Sequence, residues 1–285
     1  MSQVFQNEGL YANTLSTESQ QNTRLGVAIV GLGGAVATTA VAGVAMLRAG
    51  EMGTTGLPLA NLPDQLTDQL VRYENLVFGG WDLSPDDLAT AARQHGVLER
   101  HQHSAVETEL SAIQPWPAVG NVRFCRNVTG QHLLAVQSHA AVVEAIRADL
   151  QRFREEKNLD RVVVINLAST EAMPDLSLPQ FATPEAFEAA VQSDDEQIPP
   201  AMLYAYAAIL EGVPYVNFTP SCAADAPALL RLAEQRGVPV SGKDGKTGQT
   251  FMKTVLAPAL HARNLHIDGW FSTNILGNRD GLALD

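Results

Sequence analysis

The fold is decided by residues 25–39, LGVAIVGLGGAVATT, in which an apolar run leads into a glycine-rich turn and then into a helix-prone segment over 40–48. A strand, a tight turn and a helix N-terminus aim several backbone N–H groups and the positive end of a helix dipole at one point. Glycine lets the backbone close on a phosphate because it has no Cβ. We therefore predict a strand over 25–30 and a pyrophosphate site at the turn.

The turn departs from the usual dinucleotide fingerprint at one position, because Val36 stands where that pattern has its third glycine. Short glycine motifs also occur in unrelated proteins, where the turn only allows a strand and a helix to pack. The position of the turn favours the dinucleotide interpretation, since the first strand of a doubly wound sheet usually lies near the N-terminus.

The composition is that of a protein with a full hydrophobic core, since 46% of the 285 residues are hydrophobic and 18% are charged. The formal net charge of -12, without a basic stripe, argues against binding to nucleic acid or to an anionic membrane surface. Cys125 and Cys222 form no CxxC pair, and the 7 histidines lack metal-ligand spacing. We expect no disulfide, no metal site and no thiol nucleophile, and we interpret all the histidines as structural or surface residues.

Residues 1–23 are polar and lack both an apolar core and a basic start. This pattern is typical of neither a signal peptide nor a membrane anchor. We expect a flexible polar tail on a cytoplasmic protein.

Strand-like and helix-like patterns alternate along the rest of the chain after an irregular stretch over 49–74. Strands are predicted at 75–79, 161–167, 214–217 and 238–241, and helices at 85–95, 97–113, 139–157 and 251–262. Such alternation predicts an α/β fold with a Rossmann-like, doubly wound, mainly parallel sheet. Ligands of these folds bind at the carboxyl ends of the strands, where Asp82, Ser169, Thr170, Asp244 and residues 219–221 fall.

Asp82 is the candidate acid for the ribose hydroxyls of a dinucleotide, because it follows the second strand. Glu51 lies nearer the usual spacing but follows no apolar run. We expect Ser84 and Pro85 to cap the next helix, which leaves Asp82 free for a ligand.

The segment SGKDGKTGQT, residues 241–250, joins a strand to a helix, so a phosphate could lie on the amides around 247–249 with a lysine balancing its charge. A P-loop is the competing interpretation, but the position of the first glycine in that pattern is occupied by Val240, inside the strand.

Further on, Asn274, Asn278 and Asp280 are groups that recognise sugar hydroxyls or help to hold a cation. An Asx-rich turn explains these three residues equally well.

Five motifs, in this order and spacing, resemble the myo-inositol-1-phosphate synthase (inositol-3-phosphate synthase) family, particularly its bacterial branch: GLGGAVATT, FGGWD, NLASTE, SGKDGKTGQT and WFSTNILGNRDG. The similarity runs from about Arg24 to Asp285. It implies an NAD-dependent isomerase, a homotetramer in this family. The reaction would convert D-glucose 6-phosphate into 1D-myo-inositol 3-phosphate by internal oxidation, enolisation, aldol cyclisation and reduction.

The resemblance also implies roles for individual residues. NAD would contact the glycine turn and the ends of two strands, at Gly31, Gly33, Gly34, Ala35, Val36, Thr38, Asp82, Ala168, Ser169 and Thr170. The substrate would contact Thr247, Gly248, Gln249, Asn274 and Asn278. The catalytic groups would be Asp244, Lys246, Lys253 and Asp280.

The chain departs from the family pattern in two places. Gly245 replaces a bulkier apolar residue that is usual in the family, and the lysine-bearing segment that follows NRDG in relatives is absent. We therefore expect a truncated form, divided into a tail over 1–23, an NAD-binding domain over 24–250 and the beginning of a catalytic and tetramerisation domain over 251–285. An NAD-linked sugar-phosphate dehydrogenase and a non-catalytic NAD-binding fragment are the alternative hypotheses.

Overall fold

A parallel β-sheet forms the centre of the protein. The computed structural model describes residues 22–57, 59–60, 62–120, 122–245 and 248–271. Within these residues the sheet has 6 strands in the order β3-β2-β1-β4-β5-β6, and all neighbouring pairs are parallel. The strands are β1 Leu25–Val30, β2 Leu76–Asp82, β3 Trp116–Pro117, β4 Arg161–Asn166, β5 Tyr215–Asn217 and β6 Val240–Ser241. The strand order reverses between β1 and β4, which is where doubly wound sheets open a crevice for a ligand.

Helices connect the strands. They are α1 Ala35–Ala49, α2 Asp64–Thr67, α3 Leu88–His95, α4 Arg100–Ser111, α5 His139–Glu156, α6 Pro184–Gln192, α7 Pro200–Leu210, α8 Pro227–Arg236 and α9 Gly248–Ala262, with short 3₁₀ turns at Tyr73–Asn75 and Pro179–Phe181.

The alternating side chains of β1 separate two apolar layers. Val27 and Ile29 pack with buried residues of α1, α3 and α4, whereas Ala28 and Val30 pack with buried residues of α5, α6, α7 and α8. Successive residues of a strand point to opposite faces, so an apolar run of this kind requires helices on both sides of the sheet. This arrangement confirms the predicted Rossmann-like α/β fold.

Helix α7 is the most enclosed helix of the second layer. Every residue of α7 except Leu210 is buried, and the helix packs against α5 and α8. Its sequence, PAMLYAYAAIL, is apolar on all sides, which is typical of a helix with no face to solvent.

Trp81 on β2 connects the sheet to this layer. The side chain is 0% exposed, and its Nε1 donates a 2.8 Å hydrogen bond to Asp149 Oδ2 on α5. Its ring is nearly perpendicular to that of Trp116 at a centroid distance of 4.9 Å and is tilted against that of Tyr204 at 5.1 Å.

Several predicted boundaries differ from the observed ones. Helix α1 begins at Ala35 rather than at 40, β2 extends to Asp82, and the predicted strand 238–241 is reduced to Val240–Ser241. The expected helix cap at Ser84 is wrong, because α3 begins at Leu88 and Asp87 caps it by accepting the N–H of Thr90 at 2.8 Å. None of the helices in the described part of the chain is long and apolar enough to cross a bilayer.

Candidate active site

A cavity of about 600 Å³ opens at the carboxyl ends of the parallel strands. Its lining includes residues at or just after the carboxyl ends of five strands: 31 and 33–36 after β1, 82–85 at the end of β2, 167–171 after β4, 218–220 after β5, and 244–245 after β6. Further walls come from the segment between β3 and α5, from the end of α3 and from the start of α7. The glycine turn and the beginning of the loop after β6 therefore face one space.

The glycine turn is held by backbone hydrogen bonds to β2. Gly31 and Leu32 donate to Trp81 O at 2.9 and 3.0 Å, and Gly34 donates to Gly31 O at 3.0 Å. The first helical hydrogen bond of α1 runs from Thr38 N to Gly34 O at 2.9 Å. The N–H groups of residues 35–37 therefore precede the internal bonds of α1 and carry the positive end of its dipole.

Thr38 stabilises this turn through a buried side-chain hydrogen bond. Its side chain is 1% exposed, and its Oγ1 donates to Gly34 O at 2.9 Å. Among the residues expected at the pyrophosphate, Gly31, Gly33, Gly34, Ala35 and Val36 line the cavity, whereas Thr38 is not part of its lining.

Asp82 lies beside the glycine turn at the end of β2. Its Oδ2 accepts the N–H of Gly33 at 2.8 Å, and its Oδ1 accepts the N–H of Ser84 at 2.9 Å. These two bonds fix the orientation of the carboxylate on the cavity wall. Each oxygen keeps a further acceptor position for a hydroxyl donor.

Two histidines support the same region, and the sequence did not reveal this. His95 Nε2 donates to Gly33 O at 2.8 Å from the end of α3, and His132 Nδ1 donates to Asp82 O at 3.2 Å. His95 also lines the cavity. Both histidines are distant in sequence from their partners, so no local motif indicated their contacts.

A buried polar network joins the ends of β4 and β5. Asn166 Nδ2 donates to Asn217 Oδ1 at 3.3 Å, while Asn166 Oδ1 accepts the N–H of Ala168 at 3.1 Å. Thr219 Oγ1 donates to Asn217 Oδ1 at 2.9 Å, and Ser221 Oγ accepts the N–H of Glu171 at 3.0 Å. This network fixes the loop that presents Ala168, Ser169 and Thr170 to the cavity.

The carboxyl of Glu171 closes this wall at the start of α7. Its Oε1 and Oε2 accept the N–H of Ala201 at 3.1 and 3.3 Å. Burial raises the pKa of Glu171 from 4.5 to about 8, and the hydrogen bond from Ala201 offsets only part of that effect. At neutral pH this group therefore holds its proton.

The cysteines do not provide a reactive thiolate. Cys125 lines the cavity and its Sγ donates to Thr170 O at 3.6 Å. Burial raises the pKa of its thiol, and the negative charge that Glu171 carries once it has lost its proton raises it further. Burial also raises the pKa of Cys222 to about 12. Neither environment favours a nucleophile at neutral pH.

The loop after β6 contributes Asp244 and Gly245 to the cavity. It is attached to the segment before α8 by an ion pair of 2.7 Å between Lys243 Nζ and Asp225 Oδ2. Burial is the largest single influence on the pKa of Asp225 and would raise it, but the hydrogen bond from Lys243, the N–H of Ala223 and the charge of Lys243 together lower the pKa.

The remaining predicted site residues fall into two groups. Gly248 and Gln249 form the first turn of α9, and Lys253 is exposed on the same helix; these three are not part of the cavity lining. The other five, Lys246, Thr247, Asn274, Asn278 and Asp280, lie outside the described residues. The P-loop alternative also depends on Lys246 and Thr247. No group of three or more metal-binding side chains occurs among the residues that the structure describes.

The chain is similar to one family along most of its length. A model of an NAD-binding domain, described as myo-inositol-1-phosphate synthase, matches residues 60–276. Inositol-3-phosphate synthase 1 of Bacteroides thetaiotaomicron is 41% identical over 272 residues, which cover 92% of this chain and 63% of that protein. Inositol-3-phosphate synthase of Saccharomyces cerevisiae is 33% identical over 226 residues, which cover 75% of this chain and 42% of that protein.

Solved structures give the same relationship. The crystal structure of inositol-3-phosphate synthase from Caenorhabditis elegans superposes with a TM-score of 0.75 at 25% identity, covering 86% of this chain and 54% of the other. A myo-inositol-1-phosphate synthase-related protein from Thermotoga maritima superposes with a TM-score of 0.58 at 26% identity, covering 84% and 59%. The chain thus spans less than two thirds of the length of each of these relatives.

Proposed function

Because the chain belongs to the myo-inositol-1-phosphate synthase family, we propose that it binds NAD and acts on D-glucose 6-phosphate to form 1D-myo-inositol 3-phosphate. One observation carries this proposal: the glycine turn, Asp82, the 168–170 loop and Asp244 all line one cavity. A cofactor and a sugar phosphate that exchange hydride must lie side by side, and a shared cavity allows that.

The residues around the glycine turn fit a dinucleotide. A Cβ at Gly33 would lie 3.1 Å from the Asp82 carboxylate, and a Cβ at Gly34 would lie 3.1 Å from Gly31 O. The turn therefore presents bare backbone and the amides of residues 35–37, which suit an anionic pyrophosphate. The fixed carboxylate of Asp82 suits the ribose hydroxyls.

When bound, NAD supplies reversible hydride transfer. The proposed reaction has no net redox change because the hydride removed from the sugar is returned to it in the same cycle. Ala168, Ser169 and Thr170 would orient the nicotinamide half, and Asp244 would hold or accept a proton where cofactor and substrate meet. Gly248 and Gln249 offer helix N-terminal amides for the substrate phosphate. Thr247 joins them in this proposal, as do Asn274 and Asn278 at the sugar oxygens and Lys246, Lys253 and Asp280 as catalytic groups.

We extend the proposal to the organisation of the protein. Residues 24–250 would form the NAD-binding domain after a tail over 1–23, and residues 251–285 would begin a catalytic and tetramerisation domain of a cytoplasmic homotetramer. Phe251 and Val255 on α9 are 53% and 52% exposed, which supports a further packing surface at this helix.

The experiment that tests the activity incubates the purified 285-residue chain with NAD⁺ and D-glucose 6-phosphate. Phosphorus NMR follows inositol phosphate, and absorbance follows NADH. Inositol phosphate without accumulating NADH supports the isomerase, whereas accumulating NADH with a keto product supports a sugar-phosphate dehydrogenase. Binding of NAD⁺ with no sugar product supports a non-catalytic domain.

The site assignment has its own test in Asp82→Asn. Removing the charge weakens hydrogen bonds worth about 1.5–3 kcal/mol to ribose hydroxyls, so we expect NAD⁺ to bind about 10-fold to 100-fold more weakly by calorimetry. Asp86→Asn is the matched control, because Asp86 bonds to Ser84 Oγ nearby but does not line the cavity. Equal losses in the two variants would contradict the assignment.

A further inference from the structure

Phe218 is an aromatic residue in the cavity wall to which neither the sequence motifs nor the family resemblance gave a role. It follows β5 directly, its N–H donates to Asn166 O at 3.1 Å, and its carbonyl accepts the N–H of Gly245 at 3.0 Å. Its neighbours Asn217 and Thr219 are buried, but Phe218 is 38% exposed and lines the cavity. The cavity thus has an apolar ring where the ends of β5 and β6 meet.

Residue 245 must be a glycine because the Phe218 ring lies against its Cα. A Cβ at Gly245 would lie 2.1 Å from Phe218 Cε1, 2.2 Å from Cζ and 2.4 Å from Cδ1. Gly245 is not among the glycines with positive φ, so the requirement is one of space and not of backbone conformation. The ring of Phe218 occupies the volume that a side chain at 245 would need.

The direction of the bound dinucleotide follows from the strand order. The glycine turn lies after the central strand β1, and Asp82 lies on the β2 side of it. If Asp82 takes the adenosine ribose, the nicotinamide half must extend towards β4 and β5. Residues 168–170 and Phe218 follow those two strands.

We propose that Phe218 contacts the nicotinamide ring of NAD and that Gly245 provides the space in which the Phe218 ring lies. This inference rests on the proposed function, since it requires NAD in the cavity. The oxidised nicotinamide is a flat ring with a positive charge, and the face of an aromatic side chain attracts such a group. Phe218 would thus be a cofactor-binding residue located between the nicotinamide and the loop after β6.

Calorimetry with two ligands tests the contact. NAD⁺ and ADP-ribose share the adenosine, the pyrophosphate and the second ribose, but ADP-ribose lacks nicotinamide. We expect Phe218→Ala to weaken NAD⁺ binding about 10-fold and ADP-ribose binding less than about 2-fold. Leu230→Ala is the control, because Leu230 is 41% exposed on α8 outside the cavity lining and its loss should change neither affinity.

Equal weakening of both ligands, or no weakening of NAD⁺, would overturn the proposal. If the unmodified protein binds neither ligand, the proposed function fails and this inference fails with it. Phe218→Leu keeps an apolar side chain but has no aromatic face, so we expect an intermediate NAD⁺ affinity. This second variant carries the test if circular dichroism shows that the alanine variant does not fold.

Gly245→Ala tests the coupling of the two residues. The added Cβ must displace the Phe218 ring, so we expect about 5-fold weaker NAD⁺ binding in the unmodified background and less than about 2-fold in the Phe218→Ala background. Additive losses in the double variant would show that Gly245 does not act through Phe218.

Discussion

At the scale of single residues, Gly31 has the strictest conformational requirement of the turn. Its φ is +83°, and a Cβ there would lie 2.9 Å from Ala168 Cα and 3.0 Å from Ala168 N. Its N–H meanwhile donates to Trp81 O at 2.9 Å. The backbone after β1 thus lies in direct contact with the end of β2 and with the segment after β4, and glycine is the residue that permits this approach.

We expect Gly31→Ala to lower the free energy of unfolding by about 2 kcal/mol or more, because it combines an unfavourable φ with a backbone clash. Gly43→Ala is the matched control inside α1, where a Cβ would meet nothing within 4 Å. That change should raise the free energy of unfolding by about 0.5–1 kcal/mol through helix propensity. Urea denaturation of both variants measures the contrast, and similar values for the two would contradict this account of the turn.

Cavity residues could be predicted where a recognisable strand directly precedes them in the sequence. Gly31, Gly33, Gly34 and Asp82 follow strands whose apolar runs are legible in the sequence, and the structure has them on the cavity wall. His95 was not predictable, because its partner Gly33 is 62 positions away and its hydrogen bond depends on how α3 packs beside α1.

At the scale of secondary-structure elements, Trp81 joins β2 to α5. Replacement by Phe removes the donor to Asp149 Oδ2. Asp149 is 7% exposed, and its other oxygen is paired with Arg152 at 2.7 Å. A buried acceptor left without its partner costs about 1–3 kcal/mol.

We therefore expect Trp81→Phe to lower the free energy of unfolding by about 1–3 kcal/mol, measured by chemical denaturation. Trp270→Phe is the control, since Trp270 is 36% exposed and its change should stay within about 0.5 kcal/mol. A loss in Trp81→Phe no larger than in the control would exclude the hydrogen bond as a determinant of β2 packing.

Helices and strands with a clear periodic spacing of apolar residues were predicted from the sequence. Elements without such a spacing were missed or were predicted with shifted boundaries. Strand β3 is two residues long and exists because Trp116 and Pro117 pair with Trp81 and Asp82, a register that no local pattern encodes. Helix α1 begins before its predicted start because Gly31 N and Leu32 N donate to Trp81 O and hold the turn against β2. The first helical bond, from Thr38 N to Gly34 O, can therefore form directly after that turn. Tertiary contacts therefore set the boundaries that propensity alone misplaced.

At the scale of the whole molecule, the cavity exists only because separate segments converge. Glu171 links three of them: its N–H donates to Ser221 Oγ, its carboxyl accepts from Ala201 N on α7, and it follows the 168–170 loop. The sequence placed Glu171 in the motif NLASTE but gave no sign of its altered titration. That property depends on burial, which is a consequence of the complete fold.

The raised pKa of Glu171 makes the stability of the fold depend on pH. The unfolded chain releases this proton near its ordinary pKa of 4.5, whereas the folded protein retains it up to about 8. Between these values the folded state binds more protons than the unfolded state, so this group lowers the free energy of unfolding as pH rises.

The variant Glu171→Gln abolishes the titration and keeps an oxygen to accept the N–H of Ala201. We expect the melting temperature of Glu171→Gln relative to the unmodified protein to increase steadily from about pH 5 to about pH 8. Thermal melts across this range test it, with the exposed Glu185→Gln as control; a difference that stays constant with pH would refute the buried titration.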